Sequence, residues 1–149
     1  MYQPKFCWII TFEGTSDCTG KTSLITKFNR ITNYSCILRD RGSLSVRAYA
    51  EKFNRQLSPT ILDREKEIES SKCHLLVYLT ASKKDVIKRQ KKKNDGWNSK
   101  DYSKDKKLFN KALKKSAYKR IIKLNSSKLS LDEEVRKILL KIKKYEEKM

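Results

Sequence analysis

The stretch from Gly14 to Thr22 combines residue types that bind phosphate groups. An apolar run leads into it, and a helical pattern starts directly after Gly20. Backbone N–H groups at a helix start are unpaired and carry the positive end of the helix dipole, so they attract phosphate. Lys21 in this motif reaches the β- and γ-phosphates, and the hydroxyl of Thr22 binds Mg²⁺. The stretch therefore predicts a P-loop that binds ATP with Mg²⁺.

The spacing of this motif departs from the usual pattern by one residue. Five residues rather than four separate Gly14 from Gly20, and we place the extra one between Gly14 and Asp17. The alternative is an accidental Gly-Lys-Thr in a loop, against which the preceding strand and following helix argue. The expected phosphate-binding residues are Gly14, Asp17, Cys18, Thr19, Gly20, Lys21, Thr22 and Ser23.

A second charged group, Asp40-Arg41, follows the short apolar run Ile37-Leu38. In a parallel sheet the carboxyl ends of the strands meet at one edge, so Asp40 is expected beside the P-loop. There it would bind Mg²⁺ together with Thr22, or take the proton of an acceptor. The alternative is a surface ion pair of Asp40 with Arg39 or Arg41.

Strands alternate with helices along the whole chain. Apolar runs predict strands at 5–12, 34–39, 74–80 and 119–124, and three- to four-residue periodicity predicts helices at 21–31, 43–57, 59–70, 82–93, 103–118 and from 130 onward. Ser82 with Asp85, and Ser130 with Glu133, have capping spacing. This alternation predicts one α/β domain over residues 1–149, with a parallel sheet of four to five strands covered by helices on both faces.

The net charge of +19 is concentrated in one part of the chain. Residues 82–123 hold seventeen Lys or Arg against four Asp, which makes +13 of the total. This excess implies an anionic partner, either a nucleotide or a nucleic acid bound through 82–123. The alternative is a set of solvated helices from a lysine-biased genome.

The cysteines and the apolar runs indicate the compartment. Four cysteines without a CxxC pair and a single histidine favour reduced thiols over disulfides or zinc. The run 6–12 is too short for a signal-peptide core, and nothing approaches a membrane span. We therefore expect a cytoplasmic protein without membrane contact, in the host cytoplasm if the gene is viral.

Several motifs together resemble thymidylate kinase and its deoxynucleoside-kinase relatives. They are Phe12-Glu13-Gly14, the run from Asp17 to Thr22, and Asp40-Arg41 followed by Ser45 and Ala48-Tyr49. Weaker matches at 78–79, 88–89, 101–102, 109 and 118 extend the likeness to the end of the chain. The resemblance implies a P-loop kinase fold with a lid over ATP, which corresponds here to about 88–103.

On the ATP side, the resemblance assigns roles to four further groups. Arg41 would clamp phosphate oxygens during transfer, and Arg89 would pack on adenine, so both join Lys21 and Asp40 as expected catalytic residues. Lys92 or Lys93 would lie near the transferred phosphate. Asn125 would lie where the family wraps adenine with backbone contacts. Trp97 could stack on a base or anchor its loop.

On the acceptor side, the expected residues are Glu13, Asp17, Arg41, Arg47 and Phe53. By resemblance Asp17 contacts the acceptor sugar, and Glu13 serves as a neighbouring acid. Arg47 and Phe53 lie on the helix after Asp40-Arg41, where they would hydrogen-bond or stack on a base. For Phe53 a place in the core is the competing interpretation.

The chain departs from the family between its first helix and Asp40. A segment with an Arg-Glu-Pro-Gly turn has no counterpart, or Arg39-Asp40-Arg41-Gly42 stands in for it, so the acceptor site is abbreviated. We expect an ATP-dependent kinase that transfers the γ-phosphoryl group to a thymidylate-like nucleoside monophosphate or to a nucleoside. A polynucleotide 5′-hydroxyl kinase and a nucleic-acid-binding P-loop ATPase are the alternatives. The sequence leaves the oligomeric state open, a homodimer included.

Overall fold

Four parallel strands form a single sheet. The computed structural model describes residues 1–15, 19–93 and 101–149, with the backbone alone for residue 93. Within these residues the strands are β1 (Ile9–Gly14), β2 (Ile37–Asp40), β3 (His74–Thr80) and β4 (Ile121–Asn125). Their order across the sheet is β2-β1-β3-β4, and each neighbouring pair runs parallel. The predicted α/β class is confirmed, with four strands in the described part of the chain.

Helices cover both faces of this sheet. They are α1 (Lys21–Ile31), α2 (Ser43–Lys52), α3 (Pro59–Glu69), α4 (Lys83–Lys93), α5 (Tyr102–Lys115) and α6 (Leu131–Glu147). On one face α1 and α6 pack on alternate strand residues such as Phe12 and Val77. On the other face α2 and α5 pack on Leu76 and Tyr78. Because successive side chains of a strand point to opposite faces, the central strand β3 supplies both cores.

The first two strands begin later than the sequence predicts. The sequence predicts residues 5–8 as part of β1, but the N–H groups of Lys5 and Phe6 donate to the carboxylate of Glu146 on α6. It also predicts residues 34–36 as part of β2, but Tyr34 has a left-handed backbone (φ 58°) in the turn after α1. Both segments contain aromatic residues, which favour strands locally, and tertiary contacts override that preference.

Two helices end earlier than the sequence predicts. α2 ends at Lys52, because Asn54 adopts a left-handed backbone (φ 51°) and turns the chain. Phe53 is consequently 55% exposed, so the expectation of a core position for it is wrong. α5 ends at Lys115, where the chain becomes extended and the N–H of Ala117 donates to Glu69.

The predicted helix starts are confirmed by hydrogen bonds. The N–H of Glu133 donates to Ser130 Oγ at 3.2 Å, and Ser130 N–H donates back to Glu133 Oε1 at 3.1 Å, which completes a capping box. The N–H of Asp85 donates to Ser82 Oγ at 3.2 Å. These caps hold the starts of α6 and α4 close to the carboxyl ends of β4 and β3.

The connections place a crevice at the end of β1. From β1 the chain moves to β2 on one side, and it returns to β3 on the other side. Ligands of open α/β sheets bind at such a switch point, outside the carboxyl ends of the strands. In the described parts of the chain, no helix combines the length and the apolar character that a bilayer crossing requires.

Candidate active site

The turn between β1 and α1 depends on its two glycines. A Cβ on Gly14 would lie 2.6 Å from Thr19 Oγ1 and 3.3 Å from the carbonyl oxygen of Leu79, so the loop can close on the strand only without a side chain there. Gly20 precedes α1 with a left-handed backbone (φ 84°), which glycine adopts without steric cost. Thr19 is fully buried between them. Asp17 and Cys18 lie outside the described residues.

The start of α1 presents the predicted phosphate-binding groups. Thr22 and Ser23 are exposed in its first turn. Lys21 is only 4% exposed, and its Nζ lies 2.5 Å from Asp40 Oδ1 at the end of β2. The Lys21 side chain thus extends from the start of α1 to the end of β2. The adjacent β1 and β2 thus bring Lys21 and Asp40 together.

Asp40 pairs with Lys21 rather than with a neighbouring arginine. The Asp40 side chain is 55% exposed, and Arg39 Nη2 instead lies 2.6 Å from Glu65 Oε2 on α3. Successive side chains of β2 point in opposite directions, which separates Arg39 from Asp40. Asp40 therefore lies at the sheet edge, where a ligand bound at the N-terminus of α1 could reach it.

Arg41 has an unusual backbone and a directed side chain. Its φ of 76° is rare for a residue with a Cβ, and such conformations cluster at functional sites. The N–H of Arg41 donates to the carbonyl of Phe12 at 2.9 Å, which joins the residue to β1. Its Nη1 donates to Ser45 Oγ at 2.9 Å and to the carbonyl of Gly14 at 3.4 Å. The guanidinium is therefore held at the entrance of the P-loop.

Glu13 lies beneath this arginine rather than in the cleft. The residue is 0% exposed. Its Oε1 accepts from Ser45 Oγ at 2.5 Å, and its Oε2 accepts from Ser45 N–H at 2.9 Å. Burial raises the pKa of Glu13, while the bonds from Ser45 and the charge of Arg41 lower it. This position argues against the expected direct contact of Glu13 with an acceptor.

A cavity of about 540 Å³ lies beside Arg41, between α2, α3 and the end of β2. Its volume is in the range of small-molecule sites. The Arg41 guanidinium lies 5.7 Å from the centre of the Tyr49 ring on one wall, and the Arg39–Glu65 pair forms part of another. The lining residues are Arg39, Arg41, Gly42, Ser45, Val46, Tyr49, Ala50, Arg55, Gln56, Leu57, Ser58, Ile61 and Glu65.

Besides Glu13, two expected acceptor residues do not line this cavity. Arg47 lines a different cavity of about 220 Å³, between α2 and α5. Phe53 lies near the surface, where the Arg55 guanidinium is 5.1 Å from the centre of its ring. The residues that the sequence missed, above all Val46 and Tyr49, belong to an apolar stripe on α2 that recurs at three- and four-residue steps. A helical stripe shows which residues share a face, but not whether that face meets the core or a cavity.

A third, polar cavity of about 270 Å³ lies near the start of α1. Asp85, Lys88, Arg89, Lys92, Ser126 and Ser127 line it. Arg89 Nη1 donates to Ser126 Oγ at 3.0 Å, and Asn125 Oδ1 accepts from Ser127 N–H at 2.9 Å. A Cβ on Gly20 would lie 3.9 Å from Ser126 Cβ, so this cavity adjoins the P-loop.

The predicted lid is described only in part. Arg89 and Lys92 belong to α4, whereas residues 94–100, which include Trp97, lie outside the described residues, as does the side chain of Lys93. Among the expected ATP-side groups, Arg89 and Lys92 line the cavity beside Gly20, and Asn125 adjoins it through its bond to Ser127.

Comparison with known proteins gives a structural match. No protein-family model matches the sequence, and no curated protein sequence matches it. Among solved structures, the chain is similar to the YorR protein of Bacillus subtilis in complex with phosphorylated GDP, with a TM-score of 0.76 over 91% of this chain and 95% of that one. The chain has a P-loop kinase-like fold. At 18% identity the likeness concerns the fold, and the predicted P-loop kinase architecture is confirmed at that level.

Proposed function

We propose that this protein is a small phosphotransferase that moves the γ-phosphoryl group of ATP to a nucleoside monophosphate, thymidylate-like in class, or to a nucleoside. One observation carries the proposal: Lys21, Asp40 and Arg41 converge between the start of α1 and the 540 Å³ cavity. A phosphate held at α1 and an acceptor held in the cavity would meet at these residues. The nucleotide in the YorR structure supports nucleotide binding in this fold.

The start of α1 would bind the phosphate donor, ATP. Its unpaired N–H groups and Lys21 would bind the β- and γ-phosphates, and the polar cavity beside Arg89 and Ser126 would take the base. Thr22 and Asp40 supply hydroxyl and carboxylate oxygens, which are the donors that Mg²⁺ prefers, so this pair fits the metal. When bound, Mg²⁺ would neutralise part of the negative charge of the phosphates.

The acceptor site favours an acceptor whose attacking group is already ionised. Among the described residues, the three nearby carboxylates are all engaged, Glu13 with Ser45, Asp40 with Lys21 and Glu65 with Arg39. A nucleoside hydroxyl must lose a proton when it attacks, whereas a monophosphate oxygen carries negative charge at neutral pH. Attack by that oxygen forms the new P–O bond, and the bond from the γ-phosphorus to the bridging oxygen of ADP breaks. Arg41 would bind the oxygens of the transferring group.

A specific feature keeps the polynucleotide 5′-hydroxyl kinase as a second candidate. The cavity that contains Arg47 adjoins the acceptor cavity, since Ala50, Arg55 and Leu57 line both. Lys111 and Lys115 add positive charge to it. A second phosphate of an oligonucleotide acceptor could bind there.

Product separation after incubation with radiolabelled ATP and Mg²⁺ tests the proposal. The acceptors are nucleosides, nucleoside monophosphates and 5′-hydroxyl oligonucleotides, and we expect label on a monophosphate. Lys21→Ala should lower transfer about 10² to 10³-fold, the usual effect of removing one preorganised charge. Lys27→Ala is the matched control on α1, because Lys27 pairs with Asp132 at the surface. Label on no acceptor, with wild-type ATP hydrolysis, would favour the ATPase alternative instead.

A further inference from the structure

We infer that Glu13 and Ser45 are positioning residues that fix the guanidinium of Arg41 beside the P-loop. The catalytic part of this inference rests on the proposed function. The structural part, a chain of hydrogen bonds from Arg41 through Ser45 to Glu13, concerns the resting protein. It assigns Glu13 a role different from the acceptor contact that the sequence suggested.

The chain of bonds has a defined direction. Arg41 Nη1 donates to Ser45 Oγ at 2.9 Å, and the Ser45 hydroxyl donates to Glu13 Oε1 at 2.5 Å. An arginine has donors only, and an ionised carboxylate has acceptors only, so the hydroxyl between them must accept from one and donate to the other. The Ser45 hydroxyl therefore directs its hydrogen to the Glu13 carboxylate and its lone pairs to the Arg41 guanidinium.

Burial means that Glu13 needs its hydrogen bonds and a compensating charge within the protein. Glu13 is fully buried and Ser45 nearly so. A buried carboxylate is costly unless it is paired and hydrogen-bonded, and here the compensating charge is that of Arg41. Because Arg41 also has a left-handed backbone, its side chain starts from a position that few residues adopt. Backbone and side chain are thus both fixed, and Nη1 meets the carbonyl of Gly14.

A purely structural role for Glu13 is the competing explanation. Its Oε2 accepts from the N–H of Ser45, the third residue of α2, and this bond satisfies one of the unpaired N–H groups at the helix start. The two roles use different atoms of Ser45. Ser45→Ala keeps the N–H that the cap needs and removes the hydroxyl that reaches Arg41.

The chain offers a matched control on the same helix. Ser43 Oγ donates to Glu69 Oε1, another buried carboxylate, in the first turn of α2. Ser43→Ala therefore removes the same kind of bond from the same helix, without touching the path from Glu13 to Arg41. Any loss that comes only from a weakened α2 should appear in both variants.

A double-mutant cycle on transfer kinetics tests the coupling. Ser45→Ala should lower kcat up to about 100-fold, because small misplacements of a catalytic group have effects of this order. Adding it to Arg41→Ala should cause almost no further loss, since the arginine through which Ser45 acts is gone. Ser45→Thr should restore the rate, and Ser43→Ala should keep it. Independent, multiplying losses for Ser45 and Arg41 would overturn the inference.

An NMR measurement on the ¹⁵N-labelled protein without substrate keeps this result separate from the proposed function. Rotation of the Arg41 guanidinium, followed through its Nη resonances, should be slow in the wild type and in Ser43→Ala. It should be fast in Ser45→Ala and faster than in the wild type in Glu13→Gln, because the single acceptor oxygen of the amide cannot replace both carboxylate oxygens that Ser45 bonds. Fast rotation in the wild type would overturn the inference. Slow rotation in a protein that transfers no phosphate would uphold the contact and overturn the function.

Discussion

Asp40 combines an ion pair with an exposed position at the edge of the sheet. Its partner Lys21 is buried, whereas Asp40 itself is about half exposed. Pairs that reach solvent contribute little to stability, about 0 to 1 kcal/mol. A carboxylate at such a place contributes more to binding a metal ion or taking an acceptor proton than to the stability of the fold.

We therefore predict that Asp40→Asn separates activity from stability. The change keeps the shape of the side chain and removes its charge, so we expect transfer to fall about 10²-fold or more. The melting temperature should change little. Both quantities can be measured on the same preparation, by product separation and by thermal denaturation. A variant that melts much earlier, yet keeps its rate per folded molecule, would return Asp40 to a structural role.

His74 is a buried base outside the proposed active site. It is 1% exposed, its Nε2 lies 2.8 Å from Thr11 Oγ1, and its ring stacks on Tyr118 with 5.3 Å between ring centres. Burial, aided by the charge of Arg39, lowers the pKa of His74 from 6.5 to about 4. A neutral imidazole is therefore built into the core beneath α2.

This depressed pKa predicts a loss of stability in acid. Between pH 6.5 and about 4 the unfolded chain binds a proton on His74 that the folded protein does not, so stability falls as the pH falls through this window. The shift corresponds to about 3 kcal/mol at most. His74 is the single histidine of the sequence, so its ring signals in NMR titrate without overlap. His74→Gln should flatten urea-unfolding stability over the window, and an ordinary titration near pH 6.5 would contradict the prediction.

At the site, the sequence predicts the positions of those residues that lie at or just after the strand ends. Gly14, Lys21, Asp40 and Arg41 could be brought together because parallel strands end at one edge. Arg47 could not be placed, since its direction depends on how α2 is rotated against α5. The burial of Glu13 also depended on a tertiary bond to Ser45, which no local pattern contains.

At the scale of elements, one carboxylate joins the two ends of the chain. Glu146 on α6 accepts hydrogen bonds from Tyr2 OH, from the N–H groups of Lys5 and Phe6, and from Trp8 Nε1 at 3.0 Å. These bonds together outweigh burial and lower the pKa of Glu146. The segment before β1 is thus attached to the last helix, which explains why its aromatic residues do not extend the strand.

Glu146→Gln should destabilise the protein without harming the active site. An amide accepts fewer bonds than a carboxylate, and its NH₂ would face N–H donors, so we expect a loss of about 2 kcal/mol in the free energy of unfolding. The lowered pKa means that the stabilisation is present above pH 4.5 and is lost as the pH falls below it. Glu147→Gln, at the exposed next residue, is the control for the charge. Equal urea midpoints for the two variants would argue against this role.

At the scale of the whole molecule, the order of elements could be predicted but the order of strands could not. Alternating strands and helices imply a parallel sheet, and the capping pairs at Ser82 and Ser130 located two helix starts. The central place of β1, between β2 and β3, rests on side chains that meet only after folding. The cavities follow from that order, so none of them could be outlined beforehand.

The charge of the molecule predicts a salt-dependent affinity for nucleic acid. The exposed face of α5 carries lysines such as Lys104, Lys107 and Lys114, within the segment that holds most of the net charge. Each lysine that neutralises a phosphate of a single strand contributes about −0.7 to the log-log slope of affinity against salt. We expect steep, sequence-independent binding of oligonucleotides, while the KM for a mononucleotide changes little between low and physiological salt.

Two triple variants with the same loss of charge can locate this binding. Lys104, Lys107 and Lys114 on α5 are changed to Gln in one, and Lys137, Lys144 and Lys148 at the C-terminal helix are changed in the other. Fluorescence anisotropy over a salt series should show a slope reduced by about 2 for the α5 variant and nearly unchanged for the second. Equal reductions would mean that net charge alone attracts the strand, as expected for solvated helices. Efficient phosphorylation of 5′-hydroxyl oligonucleotides at physiological salt, with no transfer to a mononucleotide, would instead make the polynucleotide the true acceptor.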